Sequence, residues 1–133
     1  MKPTKADRKK FDLDLKYGQK YEDEFLNIVV NSKVEVKTER GMWMDTGNIA
    51  IEYESYGKPS GIMATESDYW LQNLCYKGCI CLSFFIKVEH LKKLIEQNTF
   101  PSVSGGDHNA SKMYLVKLNL LTSPDILRKL VDE

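Results

Sequence analysis

The chain has 133 residues, the length of one domain, and its 42% hydrophobic and 29% charged residues are typical of a globular protein. Its 19 basic and 19 acidic residues cancel, which excludes the strong positive charge expected of a protein that coats DNA nonspecifically. No apolar run approaches the roughly 18 residues of a membrane span, and the polar N-terminus lacks the features of a secretory signal, so we expect a soluble, cytoplasmic protein.

The first 20 residues are basic. They hold seven lysine or arginine residues against three aspartates, a local excess of four positive charges. We expect residues 1–11 to form a basic N-terminal arm and residues 12–133 to form a single domain. Such an arm can contact a phosphate backbone, although a solvated chain terminus has the same composition.

A helix and two strands follow the arm. Apolar residues at helical spacing predict a helix over Gly18–Val30. Apolar and charged residues then alternate over Lys33–Glu39 and again over Asn48–Ser55, with a turn over Gly41–Gly47 between them. A period of two is that of half-buried strands, and the short turn predicts that the two strands are neighbours in one sheet.

The middle of the chain alternates loops with regular elements. Glycine and proline predict a tight loop over Gly57–Gly61, and a pattern like a capping box predicts a short helix over Thr65–Asn73. The apolar segment Gly78–Lys87 lacks clean alternation, which predicts a strand in the centre of a sheet. A helix is expected over Val88–Asn98.

The last third of the chain completes a mixed α/β pattern. We expect a glycine-rich loop over Pro101–Ala110, a strand over Lys112–Leu118 and a helix over Ile126–Val131. The sequence Ser-Pro-Asp at 123–125 is a strong helix start, because it combines a cap with a proline in the first turn. The order of elements predicts an α/β fold in which helices cover a sheet.

The three cysteines, Cys75, Cys79 and Cys81, do not predict a disulfide framework, because their number is odd and the chain has intracellular character. A zinc site is disfavoured, since four ligands at workable spacing are not visible. Cys79 and Cys81 alternate in the apolar segment, so we expect them to be buried thiols.

The pair Glu35 and Lys37 is the strongest candidate for chemistry. Period two places both side chains on one face of a strand. A carboxylate can hold Mg2+, and a neighbouring lysine can orient an attacking water or stabilise charge on a phosphate. One carboxylate does not suffice to bind a divalent ion, so further acidic side chains must lie near Glu35. The candidates are Glu22 on the first helix and Glu52 on the next strand. Alternatively, the charges form a solvated strand face in which Lys37 separates the carboxylates.

Six segments carry a recognisable combination of residues. They are GQKYE (18–22), EVKTER (35–40), TGNIAIEYES (46–55), GKPSG (57–61), GGDHNAS (105–111) and YLV (114–116). Together they resemble the PD-(D/E)xK nuclease superfamily, which has the restriction-endonuclease-like fold and includes Holliday junction resolvases and phage nucleases. The resemblance spans most of residues 12–118, and the later segments look like a small phage-type group of these proteins.

The resemblance implies a central mixed sheet flanked by helices and hydrolysis of DNA phosphodiester bonds that depends on Mg2+ or Mn2+. Structured DNA, such as a junction, is among the substrates it implies. Glu22 matches the acid of the first helix, and Glu35 with Lys37 matches the acid-x-lysine signature. With Glu52, these residues form the expected catalytic and metal-binding set.

The chain departs from the superfamily at one position. Members usually carry an aspartate on a strand before the acid-x-lysine strand, and no aspartate lies between the first helix and Glu35. Either Glu35 replaces that acid and Glu52 the later one, with Lys37 moved to the earlier strand, or Asp12 or Asp14 contributes. Loss of the aspartate also leaves open a catalytically inactive module that binds nucleic acid or protein.

Contacts to DNA are expected around the loop that follows Glu52. Lys58, Ser60 and Thr65 lie in or just after it, and Arg40 ends the strand that carries Glu35. The same residues also suit an ordinary turn and helix cap. A homodimer is expected, because cutting both strands usually requires two sites. No membrane and no organic cofactor are expected.

Overall fold

The computed structural model describes residues 1–132, which divide into two compact units, one ending at Ser32 and one beginning at Lys33. No helix in these residues has the length and apolar character needed to cross a bilayer. The helices are α1 (Lys5–Asn31), α2 (Met42–Thr46), α3 (Val88–Gln97) and α4 (Pro124–Asp132). The strands are β1 (Val34–Glu39), β2 (Asn48–Ser55), β3 (Lys58–Pro59), β4 (Tyr69–Tyr76), β5 (Cys79–Lys87), β6 (Ser102–Gly105) and β7 (Ser111–Lys117).

The first unit is the single helix α1. It begins with a capping box, in which the Asp7 N–H donates to Thr4 Oγ1 and the Thr4 N–H donates to Asp7 Oδ2 at 2.8 Å. The Thr4 hydroxyl, which donates to Asp7 Oδ2 at 2.7 Å, and then the Thr4 N–H lower the pKa of the Asp7 carboxyl. The predicted helix Gly18–Val30 lies within α1, and the predicted boundary at residue 11 falls inside the helix, because the cap starts it already at Lys5.

The second unit contains two sheets. Sheet A has the strand order β1-β4-β5, with β1 parallel to β4 and β5 antiparallel to it. Sheet B has the order β3-β2-β7-β6 and is antiparallel throughout. The α/β class is confirmed, whereas the expected single central sheet is replaced by these two sheets.

The prediction that β1 and β2 pair is wrong, because they belong to different sheets. The predicted turn between them is the short helix α2, which ends at Gly47 with a positive φ of 71°. This helix redirects the chain, and β1 pairs in parallel with β4 instead. The Ala50 N–H of β2 does not bond to the β1 backbone. It donates to the side chain of Glu39, at 2.6 Å from Oε1.

The predicted helix over Thr65–Asn73 is also wrong, since Tyr69–Tyr76 forms β4. Trp70, Gln72 and Leu74 are buried in alternation, which is the period of a strand. Thr65 does not start a helix. Its N–H donates to the Gly61 carbonyl and its Oγ1 accepts the Ser67 N–H, so it lies between two local turns.

The strand over Gly78–Lys87 exists as β5, but it lies at the edge of sheet A rather than in its centre. The prediction that Cys79 and Cys81 are buried is also wrong, because both are exposed. Cys75 is partly buried. The three cysteines are free. The tight turn at Lys77 and Gly78, both with positive φ, makes β4 and β5 a hairpin, which leaves the outer side of β5 without a strand among residues 1–132.

The remaining elements follow the sequence closely, with two exceptions, both of them predicted loops. The expected tight loop Gly57–Gly61 contains the two-residue strand β3. The strand Asn48–Ser55 has the predicted bounds, and β7, α3 and α4 match their predictions to within two residues at most ends. The expected loop Pro101–Ala110 instead contains β6 and a 3-10 turn at Asp107–Asn109. Short polar strands at a sheet edge give little hydrophobic alternation to predict them.

The core of the second unit joins both sheets to the helices. α3 contributes four buried residues at helical spacing, Val88, Leu91, Leu94 and Ile95, whereas α4 contributes Leu130. The buried hydrophobic residues are Ile49, Ile51, Ile62, Trp70, Leu74, Val88, Leu91, Leu94, Ile95, Val116 and Leu130. This core holds β2 and β4 rigidly, and these two strands carry part of the site described next.

Candidate functional site

One cleft of about 270 Å3 in the second unit brings side chains from both sheets together. Strands β1 and β4 of sheet A and strands β2 and β7 of sheet B supply its walls. The lining residues are Lys37, Thr38, Glu39, Ala50, Glu52, Trp70, Gln72 and Met113. One lysine and two glutamates are the ionisable members of this lining, so the cleft combines a cation with two carboxylates.

Glu39 reaches the cleft from β1, two residues after Lys37 and therefore on the same strand face. Its Oε1 accepts the Ala50 N–H at 2.6 Å and the Gln72 side-chain amide at 3.3 Å. Burial raises the pKa of Glu39, and the hydrogen bond from Ala50 partly opposes that change. The carboxylate is thus held in a fixed position and links the two sheets.

Gln72 orients Glu39 from β4. It is the buried polar residue of this core, with 3% of its surface exposed. Its Oε1 accepts the indole N–H of Trp70 at 2.8 Å, which leaves the amide Nε2 to donate to Glu39. Within residues 1–132, no buried side-chain nitrogen or oxygen lacks a hydrogen-bond partner, so the chain Trp70–Gln72–Glu39 is fully satisfied.

Glu52 reaches the cleft from β2 and is held by hydroxyl groups. Ser60 Oγ donates to Glu52 Oε2 at 2.7 Å. The hydrogen bonds from Ser60 and then Ser111 lower the pKa of Glu52, burial opposes them, and the charge of Lys37 lowers it further. Glu52 is therefore a stable carboxylate at neutral pH, which suits a cation ligand.

The backbone around Glu52 is irregular and tightly packed. The pairing of β2 with β7 shifts register between Glu52 and Glu54, which marks a bulge at Tyr53. Gly61, with a positive φ of 52°, packs against this segment so closely that a Cβ would lie 2.1 Å from the Glu52 carbonyl oxygen. This contact fixes where β2 presents Glu52.

Lys37 Nζ lies 3.1 Å from Glu35 Oε1, with about two fifths of the lysine side chain exposed (41%). The prediction that Glu35 and Lys37 share a strand face is confirmed. The lysine also acts electrostatically on Glu52, as the lowered pKa of that carboxyl indicates. Lys37 therefore connects a carboxylate beside the cleft with one inside it.

The other residues predicted from the sequence are distributed as follows. Ser60 contacts Glu52 directly. Glu35 pairs with Lys37 but does not line the cleft, and Glu22 lies on α1 in the first unit. The remaining three, Lys58, Thr65 and Arg40, lie outside the cleft lining, with Lys58 and Arg40 exposed.

Sequence reasoning missed Glu39, Gln72 and Ser111. Glu39 carried a usable signal, because it continues the period of two that joins Glu35 and Lys37. Gln72 carried none, since its segment was predicted to be a helix. Ser111 depends on the pairing of β7 with β2, which the sequence does not specify.

The donor set fits a hard divalent cation. Within residues 1–132, no three or more histidine, cysteine, aspartate or glutamate side chains cluster closely enough to bind a metal ion by themselves. Mg2+, however, commonly uses one or two protein carboxylates and completes its shell with water and substrate phosphate. Glu39 and Glu52, each held by hydrogen bonds and coming from different sheets, are the two carboxylates of the cleft lining. Glu52 is the readier ligand because its pKa is lowered, whereas Glu39 ligates a cation only after losing the proton that its raised pKa favours.

The raised pKa of Glu39 predicts a pH effect on stability. The folded protein holds this proton at pH values where the unfolded chain has lost it, so stability falls as pH rises through the raised pKa. Glu39→Gln has no such proton and keeps an oxygen acceptor for Ala50. We expect the free energy of unfolding of the wild type to fall relative to Glu39→Gln as pH increases from the ordinary carboxyl range.

Urea unfolding of both proteins from about pH 2 to about pH 8 measures this difference. A difference that stays constant with pH contradicts the buried, proton-holding state of Glu39. Glu52→Gln is the control, because its pH effect on stability has the opposite sign. The lowered pKa of Glu52 stabilises the wild type, and this stability is lost as pH falls through that pKa.

No protein-family model matches the chain, and neither the curated proteins nor the solved structures give a significant match.

Proposed function

We propose that this protein is a metal-dependent hydrolase of DNA phosphodiester bonds, built on a variant of the restriction-endonuclease-like fold. The observation that carries the proposal is the convergence of Lys37, Glu39 and Glu52 from two sheets on one cleft. Two carboxylates supply ligands for a divalent cation that activates water, and a lysine beside them supplies a positive charge for the phosphate.

Glu39 and Glu52 are the proposed ligands of Mg2+ or Mn2+. Glu39 takes the place that the sequence suggested for Glu35, because Glu39 lines the cleft and Glu35 is paired with Lys37 beside it. A bound divalent cation supplies an activated water and offsets charge on the phosphate. The metal role predicted for Glu22 stays a prediction.

The chain's own groups position and stabilise the reaction. Gln72 and the Ala50 N–H hold Glu39 in one orientation, and Ser60 holds Glu52. Lys37 is the one cation in the cleft lining, so its Nζ is the group that stabilises negative charge as it develops on the phosphate. Pre-set hydrogen bonds of this kind avoid reorganisation during the reaction.

DNA backbone contacts are assigned to exposed cations near the cleft. Arg40 follows Glu39 directly in the chain, and Lys58 lies on β3, which pairs with the end of β2. Both side chains are exposed, as phosphate contacts require. Preference for a junction or another DNA structure is part of the proposal only through the resemblance to nucleases.

An inactive binding module is the competing function, and one observation favours it. The Glu39 carboxylate accepts hydrogen bonds from the Ala50 N–H and from the Gln72 side-chain amide. These bonds give Glu39 a purely structural role as a link between the two sheets. In that case the cleft has no need of a cation. Direct measurement of metal binding separates the two functions.

We expect titration calorimetry with Mn2+ to show one binding event for the wild type and at least about tenfold weaker binding for Glu52→Gln, because the substitution removes a charged ligand. Glu54→Gln is the matched control. Glu54 lies on the same strand but is ion-paired with Lys112 and does not line the cleft. Equal Mn2+ affinity in all three proteins contradicts the proposed site.

A further inference from the structure

The tip of the hairpin formed by β2 and β3 carries an exposed aromatic side chain. Ser55 pairs with Lys58 across the hairpin, and Tyr56 and Gly57 between them form a two-residue turn. Tyr56 has 70% of its surface exposed, more than any other aromatic residue among residues 1–132. Within the same residues, its ring makes no stacking or cation–π contact. The ring therefore adds little to the packing of the second unit.

The backbone of this turn disfavours tyrosine. The φ angles are 49° at Tyr56 and 75° at Gly57, and a turn with positive φ at both positions favours asparagine, aspartate or glycine at the first. A bulky residue with positive φ is an outlier that carries a conformational cost. The turn between β4 and β5 has the same backbone, with φ of 50° at Lys77 and 77° at Gly78. The turn geometry alone therefore does not select an aromatic side chain.

Backbone hydrogen bonds hold both the tip and the base of the hairpin. The Tyr56 N–H donates to the Ala110 carbonyl at 3.0 Å, and the Ser60 N–H donates to the Tyr53 carbonyl at 3.0 Å. The ring is thus presented from an anchored backbone. Such an aromatic side chain stacks on a ligand at a low cost in conformational entropy, because only two side-chain torsions must be fixed.

The hairpin begins and ends at the cleft. Glu52 lies at the start of its first strand, and Ser60, just after its second strand, donates to Glu52 Oε2 at 2.7 Å. Tyr56 follows Glu52 by four residues, which at about 3.3 Å per residue places the tip about 13 Å from Glu52 along the strand. Stacked DNA advances about 3.4 Å per nucleotide, so this distance corresponds to about four nucleotides.

A lysine lies between the tip and the cleft on the same sheet face as Glu52. Residues directly opposite one another on neighbouring strands share a face of the sheet. Ser55 is opposite both Lys58 and Ser111, and the Ser111 hydroxyl hydrogen-bonds to Glu52. Lys58 is exposed, so its charge is available to a phosphate on this face.

We infer that Tyr56 stacks on an unpaired base of the substrate, within about four nucleotides of the phosphate bound in the cleft. In a continuous duplex both faces of each base are covered by its neighbours, so the ring finds a free base face in a single strand, at an end or at a branch. Lys58 then contacts the backbone between that base and the cleft. The inference rests on the proposed DNA-cleaving function and names its substrate class.

Two DNAs of equal charge isolate the stacked base. Each is a duplex with a short single-stranded tail, which has either normal bases or only abasic nucleotides, and tails of both polarities are used. Fluorescence anisotropy in chelator measures binding without hydrolysis. We expect the wild type to bind the tail with bases at least about tenfold more tightly than the abasic tail, as stacking on one base implies. We expect Tyr56→Asn to bind both DNAs equally.

Substitutions at Tyr56 separate stacking from folding. Tyr56→Phe and Tyr56→Trp should keep the preference for bases, whereas Tyr56→Leu should lose it because leucine has no ring. Tyr56→Asn should unfold in urea at or above the wild-type midpoint, since asparagine suits a positive φ better than tyrosine. Lys77→Asn makes the same exchange in the other turn and should leave the preference unchanged.

A wild type that does not distinguish the two tails, or a Tyr56→Asn variant that keeps the wild-type preference, overturns the inference. Binding in chelator does not depend on catalysis, so the outcome is separate from that of the proposed function. A preference that depends on Tyr56 in a protein that cuts no DNA supports the stacking site and contradicts the nuclease. Metal-dependent cutting that Tyr56→Asn leaves unchanged, together with equal binding of both tails, contradicts the stacking site alone.

Discussion

Replacing Lys37 with alanine lowers metal-dependent DNA cleavage by about 10²–10³-fold, the usual cost of removing one group that stabilises developing charge. Lys37 is the cation of the cleft lining, and its charge contributes to the lowered pKa of Glu52. The loss should appear in kcat rather than in KM, because the charge that Lys37 offsets develops in the transition state.

Lys112→Ala is the matched control for this substitution. Lys112 also sits on a strand, also lies 3.1 Å from a glutamate oxygen and has 52% of its side chain exposed, but it does not line the cleft. Both variants should unfold close to the wild-type temperature, since exposed ion pairs contribute little to stability. Equal cleavage by the two variants contradicts the role of Lys37.

Replacing Gly61 with alanine destabilises the protein by roughly 3 kcal/mol or more. The new Cβ would lie 2.1 Å from the Glu52 carbonyl oxygen and 2.7 Å from the carbonyl carbon, and both are backbone atoms that cannot rotate away. The left-handed backbone at Gly61 adds a further cost for any residue with a Cβ. Relief of the clash must move β2, so cation binding at Glu52 should weaken as well.

Gly57→Ala separates the clash from the backbone conformation. Gly57 also has a positive φ, of 75°, but a Cβ there meets nothing within 4 Å. We therefore expect a loss of only about 1–2 kcal/mol and unchanged cation binding for Gly57→Ala. Urea unfolding and calorimetry measure both quantities, and equal destabilisation by the two substitutions contradicts the close packing of Gly61 on β2.

Local patterns predicted much of the secondary structure, because alternation and helical spacing are properties of short segments. Strand β2 and helix α3 follow directly from such patterns. The same reasoning failed for β4, where a turn at Thr65 resembled a helix cap and outweighed the alternation of Trp70, Gln72 and Leu74.

Strand pairing could not be predicted in the same way. The partner of β1 is β4, and Glu35 pairs with Trp70, 35 residues further along the chain. A short connection favours pairing of β1 with β2, but the helix α2 and the side chain of Glu39 prevent it. Contacts of this range depend on how the whole core packs rather than on any one segment.

Only part of the candidate site could be predicted, because the site also depends on how the strands pair. Lys37 and Glu52 were identified because residue type and period are visible in the sequence. Apart from the period of two that it continues, nothing in the sequence distinguishes Glu39 from an exposed charge, since its hydrogen bonds with Ala50 and Gln72 exist only once both sheets are formed. The burial that raises its pKa is likewise a property of the folded protein.

Cleavage of a panel of labelled DNAs by the wild type is the most direct test of the proposed function. The panel comprises single strand, duplex, flap and four-way junction, each with Mg2+, with Mn2+ and with chelator. The proposal predicts cutting of at least one substrate that requires the cation and stops with chelator, with Glu52→Gln inactive on the same substrate. No cutting of any substrate with either metal would contradict a nuclease and leave the binding module as the function of this cleft.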